Sequence, residues 1–156
     1  ISIQAQPSGS TVWTQVAVAT TSTTGAFSAA VKPSVNTHYR AGYAGAGGMG
    51  GAYSAVRPIA VLPTISIQAN RTSLGLGGTV TFATTVAPRH PGGSVLLQRW
   101  TGSSWATVAM RTLSSVSTAS ATVRPPSRGV NTYRWMTPAD AAHAVGYSAS
   151  RQVRAY

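Results

Sequence analysis

Apolar and polar residues alternate in short runs along most of the chain, a period of two that predicts strands with one buried face. The clearest run is Thr79 to Val86, where Val80, Phe82 and Val86 share one side. Val95 to Trp100 reads as a strand, Thr101 to Ser104 as a turn, and Trp105 to Thr112 as the returning arm of a hairpin. Thr118 to Val123 comes next and ends at Pro125-Pro126, since neither proline can donate to an interior ladder. Asn131 to Met136 places Tyr133 and Trp135 on one face and Thr132 and Arg134 on the other, and Tyr147 to Ala155 closes the series. Upstream of it, Ile65 to Ala69 supplies one further strand.

The same series occurs twice. Trp13 with Val16-Ala17 and Val31 corresponds to Trp105 with Val108-Ala109 and Val123, without a gap. Further on, Val35-Asn36-Thr37-His38-Tyr39-Arg40 resembles Val130-Asn131-Thr132-Tyr133-Arg134, and Tyr53-Ser54-Ala55 resembles Tyr147-Ser148-Ala149. Ile1 to Gln4 matches Val95 to Gln98 as the third strand of a unit. It also matches Ile65 to Gln68, as a first strand, but the ungapped Trp13 to Val31 match leaves too few residues for a second strand before the hairpin. Residues 62–94 have no counterpart in the first copy, so 62–156 reads as a complete two-sheet sandwich of about seven strands, a usual number for such a module. Residues 1–61 read as an incomplete one, and the fold class is all-β with two tandem modules.

Composition agrees with sheets: the chain is 43% hydrophobic and only 8% charged, and the helix formers Glu and Lys are nearly absent. No apolar run approaches the length that crosses a bilayer, so no transmembrane segment is expected. Cysteine is absent, which leaves disulfides out of the account.

These residues resemble the tandem immunoglobulin-like or fibronectin-like modules of secreted actinobacterial proteins. The likeness is carried by Val95-Leu96-Leu97-Gln98-Arg99, by Trp105 with Val108-Ala109, by Gly25-Ala26-Phe27 leading to Val31-Lys32-Pro33, and by Val35 to Arg40. The second copy departs from it at Ser117-Thr118-Ala119 and in the loop Pro126 to Gly129. The resemblance implies a spacer, surface-display arm or accessory domain, secreted or at the cell surface.

Catalysis is poorly provided for. Asp140 is the sole carboxylate side chain, there is no Glu and no Cys, and so paired-carboxylate and thiol chemistry are excluded within this chain. Asp140, His143 and Ser148 contain the residue types of a hydrolytic triad, yet no nucleophile-elbow sequence surrounds Ser148. The expectation is a protein that is not an enzyme and holds no cofactor. No dedicated metal site is expected from His38, His90 and His143, which are far apart in sequence. The Gly-rich stretch Gly42 to Gly51 lacks the Lys-Ser or Lys-Thr of a phosphate cradle and reads as a loop between two strands.

Charge is the remaining candidate chemistry. Twelve Lys and Arg face Asp140, for a formal net charge of +11, and residues 1–61 hold only Lys32, Arg40 and Arg57 of them. A field of this size attracts polyanions. Arg99, Arg111, Arg124, Arg128, Arg134, Arg151 and Arg154 are the polyanion-binding candidates, with Trp100 or Trp105 as a stacking platform. Trp13, Tyr39, Tyr133 and Trp135 are expected to pack. Two functions compete: a structural or interaction module of a larger assembly, and a polymer-binding module using the second Arg-rich copy. Expected partners are a protein or upstream fragment completing the first module, and an anionic polymer.

Overall fold

Alternation of the kind seen in Thr79 to Val86 needs two sheets, because each strand hides one row of side chains and leaves the other in solvent. In a computed structural model that describes every residue from Ile1 to Tyr156, the chain forms three sheets and no helix. It divides into two compact units. One comprises Ile1–Val61 with Asp140–Ala144, the other Leu62–Ala139 with Val145–Tyr156.

The first unit holds a single sheet. Its strands are β1 (Ser2–Pro7), β2 (Thr14–Val18), β3 (Thr37–Tyr43), β4 (Ala52–Tyr53) and β5 (Arg57–Ile59), in the order β2-β1-β3-β4 with β5 also on β3. All pairings are antiparallel. The loop expected over Gly42 to Gly51 lies between β3 and β4 but starts two residues later, since Gly42 and Tyr43 pair with Tyr53 and Ala52, and an Ala46–Met49 bridge closes it. The loop Asp140–Ala144 is tied to this unit through the Asn36 N–H, which donates to the Ala142 carbonyl at 2.6 Å, and the Asn36 amide, which donates to the Ala141 carbonyl at 3.2 Å.

The second unit has two sheets. Strands β6 (Thr64–Ile65), β7 (Gln68–Ala69), β8 (Ser73–Leu74), β9 (Val80–Ala87), β10 (Ser94–Trp100), β11 (Trp105–Thr112), β12 (Thr118–Val123), β13 (Gly129–Thr137), β14 (Gly146–Tyr147) and β15 (Arg151–Ala155) occur in that order. One sheet runs β11-β10-β13-β15-β8 with β14 on β13; the other runs β12-β9-β6 with β7 on β9. Between them lie Val80, Phe82, Val86, Val95, Leu97, Tyr133, Trp135 and Val153, each at most 2% exposed. Phe82 and Tyr133 meet with ring centroids 4.6 Å apart, one from each sheet. Rings of this size dominate core energetics.

Two strands expected as continuous are interrupted, and side-chain hydroxyls are the reason. Between β6 and β7, Ser66 Oγ accepts the Thr85 N–H and Thr84 Oγ1 donates to the Ser66 carbonyl. Between β14 and β15, Ser148 Oγ accepts the Trp135 N–H at 2.8 Å while its own hydroxyl donates to the Ala149 carbonyl. In both places a hydroxyl replaces a main-chain partner, so the ladder breaks while the Thr85 and Trp135 amides stay paired.

Candidate functional site

The two copies place their matched residues in matched registers. In the first unit Gln4 lies opposite Arg40 and Gly42 opposite Tyr53; in the second, Gln98 lies opposite Arg134 and Met136 opposite Tyr147. Each hairpin carries a bulge just before its glutamine, between Ile3 and Gln4 and between Leu97 and Gln98. A bulge re-aims the side chains beside it. Here it accompanies a repeated cluster of four side chains on the sheet.

In the second unit the Arg134 guanidinium carbon lies 4.2 Å from the Trp105 ring centroid and 4.2 Å from that of Tyr147, while its Nε donates to Gln98 Oε1 at 2.9 Å. In the first, Arg40 lies 4.3 Å from Trp13 and 4.0 Å from Tyr53, and its Nε donates to Gln4 Oε1 at 2.8 Å. A planar guanidinium fits between two ring faces as an ammonium does not. Stacking of this kind is worth about 0.5–2 kcal/mol per contact. The serine clasp is repeated too: Ser54 Oγ accepts the Ala41 N–H at 2.9 Å, as Ser148 does for Trp135.

This geometry gives each expected site residue a place. Arg134 is half-buried in its cluster, and Trp105 uses one face for Arg134 while meeting Trp100 at 5.4 Å between centroids. Trp100 is the more exposed of the two rings. Arg99 and Arg151 lie opposite Tyr133 on its two sides. Burial pushes the Tyr133 phenol up from its usual pKa, and the charge of Arg99 pulls it partly back. Arg111 is exposed, with Nε donating to the Ser120 carbonyl and Nη1 to that of Met110. Arg124, Arg128 and Arg154 are exposed.

Arg128 adjoins Gly129, which pairs with Ala155, and the Arg154 N–H donates to the Thr72 carbonyl. The chain path thus brings Arg71, Arg128 and Arg154 to one end of the same sheet. Arg71 was missed in the sequence because it lies outside the repeated segment. Gln4, Gln98, Tyr53 and Tyr147 were missed as a set, although the 36-residue separation of each glutamine from its arginine was a readable signal.

The three residues with triad chemistry are engaged with the backbone. Asp140 Oδ1 accepts the N–H groups of Ala142 and His143, closing a loop turn, and His143 Nε2 lies 3.0 Å from the Ser34 carbonyl. Ser148 is the clasp already described, and its twin Ser54 repeats every one of its contacts. A groove of the second unit, about 460 Å³ beside Ser66, Gln68, Thr85, Thr118 and Ser120, presents hydroxyls and an amide but no charged group. The chain matches no family model, and neither a curated protein nor a solved structure matches it.

Proposed function

We propose that this chain is a non-catalytic structural or interaction protein of secreted or cell-surface assemblies, built from two immunoglobulin-like modules of which the first lacks its opening strands. The observation that carries the reading is the duplicated cluster. Gln, Arg, Trp, Tyr and Ser recur in both units with the same contacts, and those contacts join strands within a sheet. Side chains retained in two copies for internal bracing support a scaffold reading over a reactive one. The Ser/Thr-rich, acid-poor surface suits an exposed setting.

A second reading is favoured by the exposed arginines Arg71, Arg128 and Arg154 at one sheet end, with Arg124 on the strand-to-strand connection just before Arg128. In it the second module holds a wall polymer, an anionic polysaccharide or nucleic acid. Retention on an immobilised anionic polymer across a salt series separates the two, since the slope counts the cations engaged. The scaffold reading expects a diffuse field: replacing Arg124, Arg128 and Arg154 with Gln lowers the slope no more than replacing Arg57, Arg89 and Arg111. A selective loss with the first set would establish the polymer site instead.

A further inference from the structure

The turn that launches β12 is built twice. In the second unit Ser114 N donates to Thr118 O, Ser117 N to Ser114 O, and Thr118 N to Ser114 Oγ. In the first, Ser22 N donates to Ala26 O, Gly25 N to Ser22 O, and Ala26 N to Ser22 Oγ. Ser117 and Gly25 both take a left-handed backbone, with φ of 62° and 81°. The two turns therefore send the chain onward in the same way.

Past the turn the two copies diverge. Thr118 to Val123 forms a ladder with β9, from Thr118 opposite Thr85 to Val123 opposite Val80, and Ala121 is 2% exposed opposite Phe82. Its counterpart, Ala26 to Val31, has no strand beside it. From Phe27 to Pro33 no main-chain hydrogen bond is made, and Phe27 and Val31 are 43% and 39% exposed. On the sheet of the first unit, Ile3 and Ala41 pair as Leu97 and Trp135 do, yet they are half-buried where the latter are 0% exposed. Tyr39 is half-buried where Tyr133 is 1% exposed. One row of side chains and one row of peptide groups are uncovered together.

We infer that the first unit accepts a β-strand donated by a partner polypeptide, added antiparallel to residues 26–31, as β9 is to β12. The second unit specifies the chemistry of that strand. It alternates, with aliphatic or aromatic residues at the inward positions of Val80, Phe82 and Val86, a small hydroxyl residue at that of Thr84, and small or polar residues on the outward side, and it carries no proline that would interrupt the ladder. Unpaired edges invite strand addition, in which main-chain bonds supply affinity and alternate pockets supply selectivity. A second copy of this chain is a poor donor. Each copy carries one strand set of this pattern, residues 64–87, and that set already closes its own second unit.

The inference rests on the interaction-module reading, and its test is separate from the salt series. The full chain is mixed with a large excess of a synthetic peptide spanning its own residues 63–88, and amide exchange is followed by mass spectrometry. The expected result is at least tenfold slower exchange within 27–31, with 118–123 unchanged. Ala29→Asp, at an exposed position, abolishes the slowing, while Ser28→Asp on the opposite side of the segment reduces it less. Unchanged exchange in the native chain overturns the inference. So does exchange already slow without peptide, whether it depends on chain concentration, which assigns the surface to a second copy, or not, which means the chain covers it. A charge-only salt slope with any of these outcomes leaves the scaffold reading standing; a site-localised slope displaces that reading whatever the peptide does.

Discussion

Gln98 accepts the Nε–H of Arg134 at 2.9 Å, and Gln4 stands in the same relation to Arg40. The amide fixes the rotation of each guanidinium, and the rings on either side fix its height above the sheet. Arg134→Ala removes the bond and both stacks, and is expected to lower stability by about 1–3 kcal/mol. Arg134→Lys keeps the charge but not the planar fork, so it should recover less than half of the loss. Urea unfolding followed by tryptophan fluorescence measures both, and a lysine variant as stable as the parent would show that charge alone suffices.

The serine clasp separates the two units by burial. Ser148→Ala leaves the Trp135 N–H without its acceptor beside a fully buried ring, a loss of about 1–3 kcal/mol. Ser54→Ala breaks the same bond where Ser54 is exposed and water can replace it, and should cost under about 1 kcal/mol. Thermal denaturation of the two variants tests the contrast. Equal losses would mean that the second sheet does not deepen the clasp's environment.

Tyr133 sets a limit at alkaline pH. Its folded-state pKa is raised above the ordinary 10.0 by burial, so its contribution to stability is complete below about pH 10 and is lost as pH rises through the higher folded value. Its hydroxyl is also buried without a hydrogen-bond partner. Tyr133→Phe should therefore be neutral or stabilising by up to about 1 kcal/mol at pH 7 and should flatten the decline above pH 10. Denaturation midpoints in neutral and alkaline buffer report both effects. A midpoint that falls at neutral pH would show that the hydroxyl is satisfied in solution.

Phe82 lies on the strand that covers the second unit, and Phe27 on the segment of the first unit that has no such cover, so the two should respond very differently to truncation. Phe82 is 0% exposed against Tyr133, and Phe82→Ala should cost about 3–5 kcal/mol. Phe27 is 43% exposed, and Phe27→Ala should stay within about 0.5 kcal/mol in the isolated chain. Circular dichroism melts compare them directly. A large loss at Phe27 would reveal packing that its exposure denies.

The sequence was most legible where a strand is covered on one face and bounded by a turn. Trp105–Thr112 and Thr118–Val123 begin and end at the residues the pattern indicates, because Gly102 and Pro125 mark the adjoining turns. It was least legible where a side chain acts on a distant backbone. Nothing local to Ser148 or Ser66 announces that its hydroxyl will interrupt a strand, since the partners Trp135 and Thr85 are far along the chain. The arginine clusters were hidden for the same reason. Arg134 read as an anion ligand because it is charged and lies on the outward side of its strand, and only the cross-strand register brings Gln98 and Tyr147 to it.

Acid usually dismantles a small domain by protonating carboxylates that its cations need. Arg40 and Arg134 are held instead by an amide oxygen and aromatic faces, none of which takes up a proton in the acid range. With Asp140 as the one carboxylate side chain, there is almost no ion-pair network for low pH to dissolve. Bracing by an amide and two rings in place of a carboxylate leaves the contacts of these two arginines untouched by acid.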